Sequence, residues 1–231
     1  AREAANALNS DGQTEISVAA QNSIAQTLFL DWAKRLEAKL GKVYIRLTSE
    51  KLSDCIDLLN RGHVNYLFCY ANGALTLPLD TNKFKYSTVG KEQLIPVTVP
   101  KPDKTPLFRL PGSIEEPLPF VAYAHDSLFG KVVNQLIQGK SHQCFLSRRY
   151  ENAYSHMLKS MVKESWGLAW LPKSTITRDL EQGTLCRAGA EQWDMELDIR
   201  LYYHHDAIST TELAVLEASM KMSEEALNKP T

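Results

Sequence analysis

An alternation of strand-like and helix-like segments occurs twice along this chain, once on each side of a proline-rich stretch. In the first half, residues 15–20 and 43–47 have strand patterns, and residues 64–70 form an almost unbroken apolar run. Such a run is typical of a parallel strand that is covered on both faces. The helical pattern after the first strand places apolar residues at fourfold spacing, at Ile24, Leu28, Trp32, Leu36 and Leu40. Strands that alternate with helices in this way predict a parallel α/β unit with right-handed crossovers.

The second half repeats this pattern after the prolines. Six of the chain's ten prolines fall within residues 100–119, a density that marks a connection between elements. Strands are predicted at residues 120–123, 144–146 and 167–172, and a strictly alternating strand at residues 195–203 precedes the final helix. We therefore predict an α/β fold of two Rossmann-like lobes joined by crossover strands. The expected boundaries are 13–97 and 204–228 for the first lobe, 98–203 for the second, and 1–12 for the end of a preceding helix.

Composition argues against several classes of function. The chain has 26 basic and 27 acidic residues and a net charge of -1, whereas a nucleic-acid-binding surface usually has a clear basic excess. We therefore do not expect this segment itself to bind DNA. No stretch approaches the roughly 18 apolar residues of a membrane span, and the first residues have no apolar secretion core. With four cysteines and no CxxC pair, the sequence predicts a cytoplasmic protein with free thiols.

Motifs for catalysis and metal binding are not found in the sequence. A nucleophile elbow, a P-loop and a Gly-x-Gly-x-x-Gly motif do not occur, so we expect neither enzymatic activity nor a bound cofactor. His142 and Cys144 are two residues apart, and His204 is next to His205. Because no second pair stands at a recognised ligand spacing, no metal site is predicted.

Polar residues follow the first strand of each predicted lobe. In open α/β sheets, ligands bind outside the carboxyl ends of the strands, against helix N-termini. Gln21, Asn22 and Ser23 hold that place in the first lobe, where unsatisfied N–H groups and the helix dipole favour an anion by about 0.3–1 kcal/mol per interaction. Alternatively, Asn22 or Ser23 only caps its helix. His125 and Ser127 hold the corresponding place in the second lobe, and Ser127 either contacts a ligand or is a simple N-cap.

Two further groups are candidates for a functional role. Ser147 and Arg148 follow the strand predicted at residues 144–146, and Arg148 either clamps a carboxylate through two parallel hydrogen bonds or is merely solvated. Met157 and Met161 lie one turn apart on a predicted helix. Oxidation would make either side chain polar and disturb its packing, so both are redox candidates; the alternative is that both are ordinary core methionines.

Three segments together resemble the regulatory domain of LysR-type transcription regulators, over roughly residues 13–226. They are the strand-to-helix segment Ile-Ser-Val-Ala-Ala-Gln-Asn-Ser at residues 16–23, the leucine-containing helix, turn and strand at residues 52–67, and the strand Gly-Leu-Ala-Trp-Leu-Pro at residues 167–172. Asn65 stands where the family usually has Asp. The first and third segments are most similar to the regulators that respond to hypochlorous acid.

The resemblance implies a fold like that of type II periplasmic binding proteins. It implies that a small polar or anionic effector binds between the lobes and shifts an equilibrium between open and closed states. Residues at the strand ends would line the effector site, so the resemblance adds Tyr70, Asn72 and Thr98 to the candidate ligand contacts. Two alternatives remain, a periplasmic-type solute-binding protein of the same shape and a methionine-redox sensor without a bound ligand.

The resemblance also implies the partners. Phe29 and Leu30 give the Trp32 helix more apolar surface than one core face needs, and in the family this helix packs against a second subunit. We therefore expect a homodimer, with a tetramer possible for the full-length protein. DNA would be contacted only through the family's N-terminal winged helix-turn-helix, which this chain does not contain.

Overall fold

The computed structural model describes residues 14–73, 77–139, 143–205 and 210–228, with side chains described as far as Ser219. The chain divides into two compact units, one that runs to Lys91 and resumes at Asp198, and one that spans Glu92–Leu197. Both division points fall inside strands that continue from one unit into the other, several residues away from the lobe boundaries expected from the sequence. The helix end expected at residues 1–12 lies outside the described residues.

Unit 1 is built on a mixed sheet. Its elements in chain order are β1 (Glu15–Gln21), α1 (Asn22–Thr27), α2 (Phe29–Leu40), β2 (Tyr44–Glu50), α3 (Leu52–Asn60), β3 (Tyr66–Ala71), the first part of β4 (Phe84–Thr98), the second part of β9 (Met195–His204), and α7 (Thr210–Asn228). The strand order is β2-β1-β3-β9-β4. β1 is parallel to β2 and β3, and β3 is antiparallel to β9. The parallel α/β pattern predicted for the first half of the chain is confirmed.

Strand β3 is buried along its whole length, as its apolar run predicts. The Phe68 ring packs edge-on against Trp32 of α2, with ring centroids 5.2 Å apart. Leu67 and Cys69 join a core cluster with buried residues of α3. The indole Nε1 of Trp32 also donates a hydrogen bond of 2.8 Å to Ser219 Oγ, which joins α2 to α7. Side chains alternate between the faces of a strand, so helices on both faces require the continuous apolar sequence.

The helix predicted after β1 is divided in two at Leu28. Its buried stripe is confirmed at Ile24, Trp32 and Leu36. At the division, Thr27 Oγ1 donates a hydrogen bond of 2.8 Å to the Ser23 carbonyl. A Thr hydroxyl that bonds back to the residue four positions earlier competes with the helix hydrogen bond and often bends the helix.

Unit 2 contains a two-stranded parallel sheet and the second part of β4. Its further elements are β5 (Leu118–Tyr123), α4 (Leu128–Gln138), β6 (Leu146–Asn152), α5 (Ser155–Lys163), β7 (Ala169–Pro172), α6 (Lys173–Glu181), β8 (Cys186–Arg187), a 3-10 turn (Glu191–Trp193) and the first part of β9. β5 is parallel to β6, and β4 is antiparallel to β7 and β8. Trp170 is fully buried in unit 2 and donates from Nε1 to the Trp193 carbonyl at 2.7 Å.

Strand β4 is nine residues longer at its start than the sequence pattern indicates. From the sequence, residues 72–88 are expected to be loop and short extended pieces, and the strand is expected over residues 93–99; Lys85, Tyr86 and Thr88 are among the residues that β4 adds. In the structure these side chains are exposed, and the backbone is paired beside β9. None of the helices in the described part of the chain combines the length and the apolar character that crossing a bilayer requires.

Candidate functional site

The carboxyl ends of β1, β2 and β3 lie at one edge of unit 1 because the three strands are parallel. Gln21 ends β1 and pairs with Glu50 at the end of β2. Its side-chain Oε1 accepts a hydrogen bond of 2.7 Å from the backbone N–H of Tyr70, near the end of β3. Gln21 therefore links the ends of two strands, and this side-chain oxygen is already engaged.

The start of α1 has no side-chain cap. The N-cap residue is Gln21, so the expectation that Asn22 or Ser23 caps this helix is wrong. Because the Gln21 amide oxygen bonds to Tyr70, it is not used to cap the helix. Asn22 Nδ2 lies 3.5 Å from Ser49 Oγ at the end of β2, and Ser23 is buried. The expected cluster of polar groups at this edge is thus present, and the first-turn N–H groups of α1 receive no bond from a cap side chain.

The three remaining strand-end residues differ in their surroundings. Tyr70 is fully buried in the sheet, and Asn72 is half-buried just after β3. Thr98 is the last residue of β4 and pairs with Cys186 of β8. Its side chain is fully buried, and its Oγ1 has no hydrogen-bond partner among the described residues. Because most buried polar groups have a partner, an unpaired buried hydroxyl at a strand end requires an explanation.

In unit 2, the segment after β5 leads into α4. Ser127 is the N-cap of α4, as the simpler interpretation predicts. Its Oγ accepts a hydrogen bond of 3.0 Å from the Gly130 N–H and donates one of 2.7 Å to the Ala124 carbonyl. His125 is exposed. Since both bonds of the Ser127 hydroxyl serve the turn, a contact with a ligand would need the remaining lone pair of this oxygen.

The predicted position of Ser147 and Arg148 at a strand end is wrong. Both lie inside β6, whose register pairs them with Pro119 and Phe120 in the first half of β5. Arg148 is exposed, and it donates to Glu151 Oε2 at 3.1 Å and to Asn134 Oδ1 at 2.9 Å. The apolar residues 144–146 indicated an earlier strand, but the strand itself carries charged side chains on an exposed face.

The residues that do end β6 were not singled out from the sequence. Asn152 pairs with Tyr123 at the ends of the two parallel strands. The side-chain Oδ1 of Asn152 accepts from the Tyr154 N–H at 3.0 Å, and the buried hydroxyls of Tyr123 and Ser155 lie 2.8 Å apart. The segment Asn-Ala-Tyr-Ser ahead of a helical pattern was the available signal, since Asn and Ser favour turns and helix starts.

Glu92 is a buried carboxyl group that sequence reasoning also missed. Its Oε1 accepts from the backbone N–H groups of Gln93 at 2.9 Å and Ser174 at 3.3 Å, and its Oε2 accepts from the Ser174 hydroxyl. The Ser174 donors lie at the start of α6, so Glu92 on β4 accepts hydrogen bonds there as a capping side chain would. Burial raises the pKa of Glu92 above its usual value, and the hydrogen bonds from Ser174 and Gln93 oppose that rise.

The two methionines of α5 are not both in the core. Met157 is 38% exposed, so the alternative that it is an ordinary core methionine is wrong. Met161 is half-buried, and Leu158 and Val162 occupy the inner face instead. Trp166, whose N–H donates to the Met161 carbonyl at 3.1 Å, is also exposed. An oxidant in solution could therefore reach Met157 without unfolding α5.

The described side chains contain no group of three His, Cys, Asp or Glu residues that could hold a metal ion. His142, one member of the pair considered above, lies outside the described residues. His204 packs edge-on against Phe84, with ring centroids 5.3 Å apart, as part of unit 1.

Comparison with known proteins identifies the family. The family model of the LysR substrate binding domain matches residues 9–221, which is most of the chain. The chain belongs to the LysR substrate-binding domain family. The type II periplasmic-binding-protein-like α/β fold is thereby confirmed, and the family is one of transcription regulators rather than enzymes. Membership also favours a regulator over a periplasmic solute-binding protein.

Individual LysR-type proteins are also similar to this chain in sequence or in fold. The HTH domain-truncated transcriptional regulator QseD of Escherichia coli O157:H7 is 24% identical over 135 residues, which cover 58% of this chain and 52% of QseD. Full-length HypT from Salmonella typhimurium, a hypochlorite-specific LysR-type transcriptional regulator, matches with a TM-score of 0.74 and 19% identity, covering 90% of this chain and 68% of HypT. The chain spans about half the length of the curated relatives that it matches.

Two further solved structures concern ligands and DNA. The bromide-bound regulatory domain of HypT matches with a TM-score of 0.70 and 18% identity, covering 90% of this chain and 95% of that domain. Vibrio fischeri DarR, solved in complex with DNA, matches with a TM-score of 0.75 and 19% identity, covering 90% of this chain and 68% of DarR. At these identities the likeness establishes the fold.

Proposed function

We propose that this chain is the sensing part of a LysR-type transcription regulator and that it binds a small polar or anionic effector at the carboxyl ends of its strands. The candidate contacts are Gln21, Asn22, Ser23, Tyr70, Asn72, Thr98, His125 and Ser127. Ser147 and Arg148 are dropped from this set because they lie inside β6. An effector that binds one conformation more tightly than another shifts the population toward it, and this shift is the regulatory signal.

The observation that carries this proposal is the hydroxyl of Thr98. It is fully buried at the end of β4 and has no partner among the described residues. Leaving a buried hydroxyl unpaired costs about 1–3 kcal/mol. A polar effector that bonds to Thr98 would remove that cost in the bound state, so the arrangement favours binding of a polar molecule.

The start of α1 supports an effector that carries negative charge. The N-terminus of a helix presents backbone N–H groups and the positive end of the helix dipole. In α1 these groups receive no cap side chain, and Asn22 and Ser23 flank them. The bromide-bound structure of the HypT regulatory domain shows that one family member holds an anion.

Ligand-dependent thermal shift tests the proposal. The purified chain would be screened with bromide, sulfate and small carboxylates, and the best ligand would be titrated into Thr98→Val. We expect the variant to keep or exceed the stability of the wild type, because the lost hydroxyl has no partner, and to bind the ligand roughly tenfold more weakly.

Thr88→Val is the matched control, because Thr88 lies on the same strand but is exposed. It should bind the ligand as the wild type does. Equal affinity of Thr98→Val and the wild type would remove Thr98 from the site, and the absence of any thermal shift with all three ligand classes would contradict the proposal as a whole.

A second candidate function is oxidant sensing through α5. The exposure of Met157 favours it, together with the hypochlorite specificity of HypT. In such a reaction the methionine sulfur gains the oxygen of hypochlorous acid and gives up two electrons, the chlorine leaves as chloride, and the proton is released to water. Mass spectrometry after treatment with about one equivalent of hypochlorous acid should then find the sulfoxide first on Met157, before the half-buried Met161.

A change in conformation decides whether that oxidation is functional. Treatment should alter the hydrogen exchange of α5 in the wild type and leave a Met157→Leu, Met161→Leu variant unchanged. If the wild type and the variant respond alike, methionine oxidation is not the signal.

The assembly is also part of the proposal. Leu30 on α2 is 62% exposed, and Phe29 beside it is half-buried. An apolar surface on this helix suits the helix-mediated homodimer implied by the family resemblance. Contact with DNA would come from the helix-turn-helix part of the whole regulator.

A further inference from the structure

Unit 1 contains a pocket that neither Gln21 nor Ser23 lines. It has a volume of about 550 Å³ and lies over the start of β4 and the neighbouring part of β9. Its walls include Leu77, Leu79, Phe84, Tyr86, Arg200 and Tyr202. Asn72 also borders it, but the other walls belong to none of the strand-end positions considered above. Ligand pockets in proteins typically measure roughly 300–1,000 Å³, so the space suits a small molecule.

Arg200, one of the two cations that line this pocket, is held in place by Asp198 and Tyr86. Arg200 Nη2 donates to Asp198 Oδ2 at 2.8 Å, and the guanidinium carbon lies 4.3 Å from the centre of the Tyr86 ring. The Arg200 side chain keeps 17% of its surface exposed, so it is not sealed by these contacts. A planar guanidinium fixed in this way loses little entropy when it binds a carboxylate.

The charge of the pocket favours an anion. Two of its lining residues are the cations Lys85 and Arg200, and none of the described lining residues is acidic. Asp198 offsets the charge of Arg200 from outside the lining. One positive charge therefore remains beside the space, which attracts a ligand with a single negative charge.

The remaining walls are apolar and aromatic. Leu77 and Leu79 pack against the core cluster that includes Phe84 and Tyr202. The Tyr86 and Tyr202 rings lie 5.2 Å apart, and Tyr86 is 49% exposed. Aromatic rings in contact with a flat apolar ligand contribute about 0.5–1.5 kcal/mol beyond the area they bury. An inorganic anion would leave these walls unused.

We propose that this pocket is a second ligand site, specific for a small aromatic carboxylate whose acid group binds Arg200 and whose ring packs against Tyr86 and Tyr202. Of the candidate contacts at the strand ends, this site shares only Asn72. It would let one sensing chain respond to two molecules, since binding at either place can bias the same conformational equilibrium.

Titration of the purified chain with benzoate and 2-naphthoate, followed by ligand-observed NMR, tests the site. We expect saturable binding of both acids below about 10 mM, a range usual for ligands of this size. Benzamide, which has the ring without the charge, and cyclohexanecarboxylate, which has the charge without the aromatic ring, should each bind several-fold more weakly. Equal binding of all four would overturn the proposed chemistry.

Matched variants locate the binding. Arg200→Lys keeps the charge but loses the planar fork, and Tyr86→Ala removes one aromatic wall; each should weaken binding of benzoate about tenfold. The controls are Arg46→Lys and Tyr44→Ala on β2, where both side chains are exposed and outside the pocket. Thermal melts would verify that each variant is folded.

Thr98→Val separates this proposal from the strand-end site. It should leave the affinity for benzoate unchanged, although it is expected to weaken binding of the effector at the strand ends. If Thr98→Val abolishes benzoate binding and Arg200→Lys does not, the acid occupies the strand-end site and the second site is wrong. If neither Thr98→Val nor Arg200→Lys changes benzoate binding, benzoate does not bind in this pocket, and the proposal is also wrong.

Discussion

The side-chain oxygen of Gln21 accepts a hydrogen bond of 2.7 Å from the backbone N–H of Tyr70, which lies 49 residues further along the chain. The bond lies just beyond the last pair of β1 with β3, which is Ala20–Phe68. It also explains why α1 begins without a side-chain cap. One hydrogen bond thus links the ends of β1 and β3 and leaves the start of α1 without a side-chain cap.

Replacing Gln21 by Ala should lower the free energy of unfolding by about 1–3 kcal/mol, because the buried N–H of Tyr70 would lose its partner. Urea denaturation measures this change. Gln26→Ala is the control, since the exposed Gln26 side chain bonds only to Asn22 at 2.8 Å, and it should stay within about 0.5 kcal/mol of the wild type. Equal stability of the two variants would show that water replaces Gln21 at Tyr70.

Ser127→Ala should cost about 0.5–2 kcal/mol of stability, the usual cost of removing an N-cap. The hydroxyl has two partners in the turn, the Gly130 N–H and the Ala124 carbonyl. Ser160, whose exposed hydroxyl bonds to the His156 carbonyl within α5, is the control, and its replacement by Ala should have little effect. If Ser127→Ala also weakens the anion found by thermal shift, Ser127 has both roles; if only stability falls, it is solely a cap.

Asp179 should make the stability of unit 2 depend on pH. Burial alone would raise the pKa of its carboxyl group, but hydrogen bonds from Lys163 at 2.8 Å and Lys159 at 3.1 Å, together with Thr184, hold it below the ordinary value of 3.8. The folded state therefore favours the ionised form, and its contribution is complete above that ordinary value. It is lost as the pH falls through the lowered pKa of the folded state.

Asp179→Asn should accordingly be less stable than the wild type by about 1–3 kcal/mol at pH 7. The difference should shrink when denaturation is repeated at pH values below about 3.9, where the unfolded wild type is protonated. Asp57→Asn, on the exposed face of α3, should match the wild type at every pH. A constant difference between Asp179→Asn and the wild type would mean that charge is not the cause.

Leu30→Glu should convert a dimer of the chain to a monomer without unfolding it, because Leu30 is 62% exposed within one chain. Light scattering at tens of micromolar, combined with thermal melts, measures both effects. Ile114→Glu is the control, since Ile114 is 73% exposed on the proline-rich connection and should leave the mass unchanged. A wild-type chain that is monomeric at that concentration contradicts the proposed assembly.

Features that depend on neighbouring residues were predictable from the sequence. The apolar run that became β3, the stripe through Ile24, Trp32 and Leu36, and the N-cap at Ser127 are all confirmed. Each of them rests on a periodicity or on hydrogen bonds that span only a few residues. Such patterns depend on a few neighbouring residues and can therefore be interpreted without knowing how the rest of the chain folds.

The position of β6 was predicted wrongly because it does not depend on neighbouring residues in the sequence. Its residues Ser147 and Arg148 are exposed and polar, so β6 has no apolar pattern that would predict a strand. The short apolar segment at residues 144–146 led to a strand prediction that ends too early. What orders β6 is its backbone pairing with β5, and a ladder of backbone hydrogen bonds is compatible with many side chains. The error moved two candidate ligand contacts to the wrong end of a strand.

The partners of polar side chains were decided only by the tertiary structure. Gln21 meets the Tyr70 N–H, Glu92 meets Ser174, and Arg200 lies over Tyr86, and the residues of each pair are 49 or more positions apart in the sequence. The sequence alone determined which segments must be buried, since burial follows from the apolar character that each segment carries itself. Whether a given hydroxyl, amide or guanidinium is satisfied depends on which strand lies beside it, and a register shift of one residue would turn every one of these side chains to the other face.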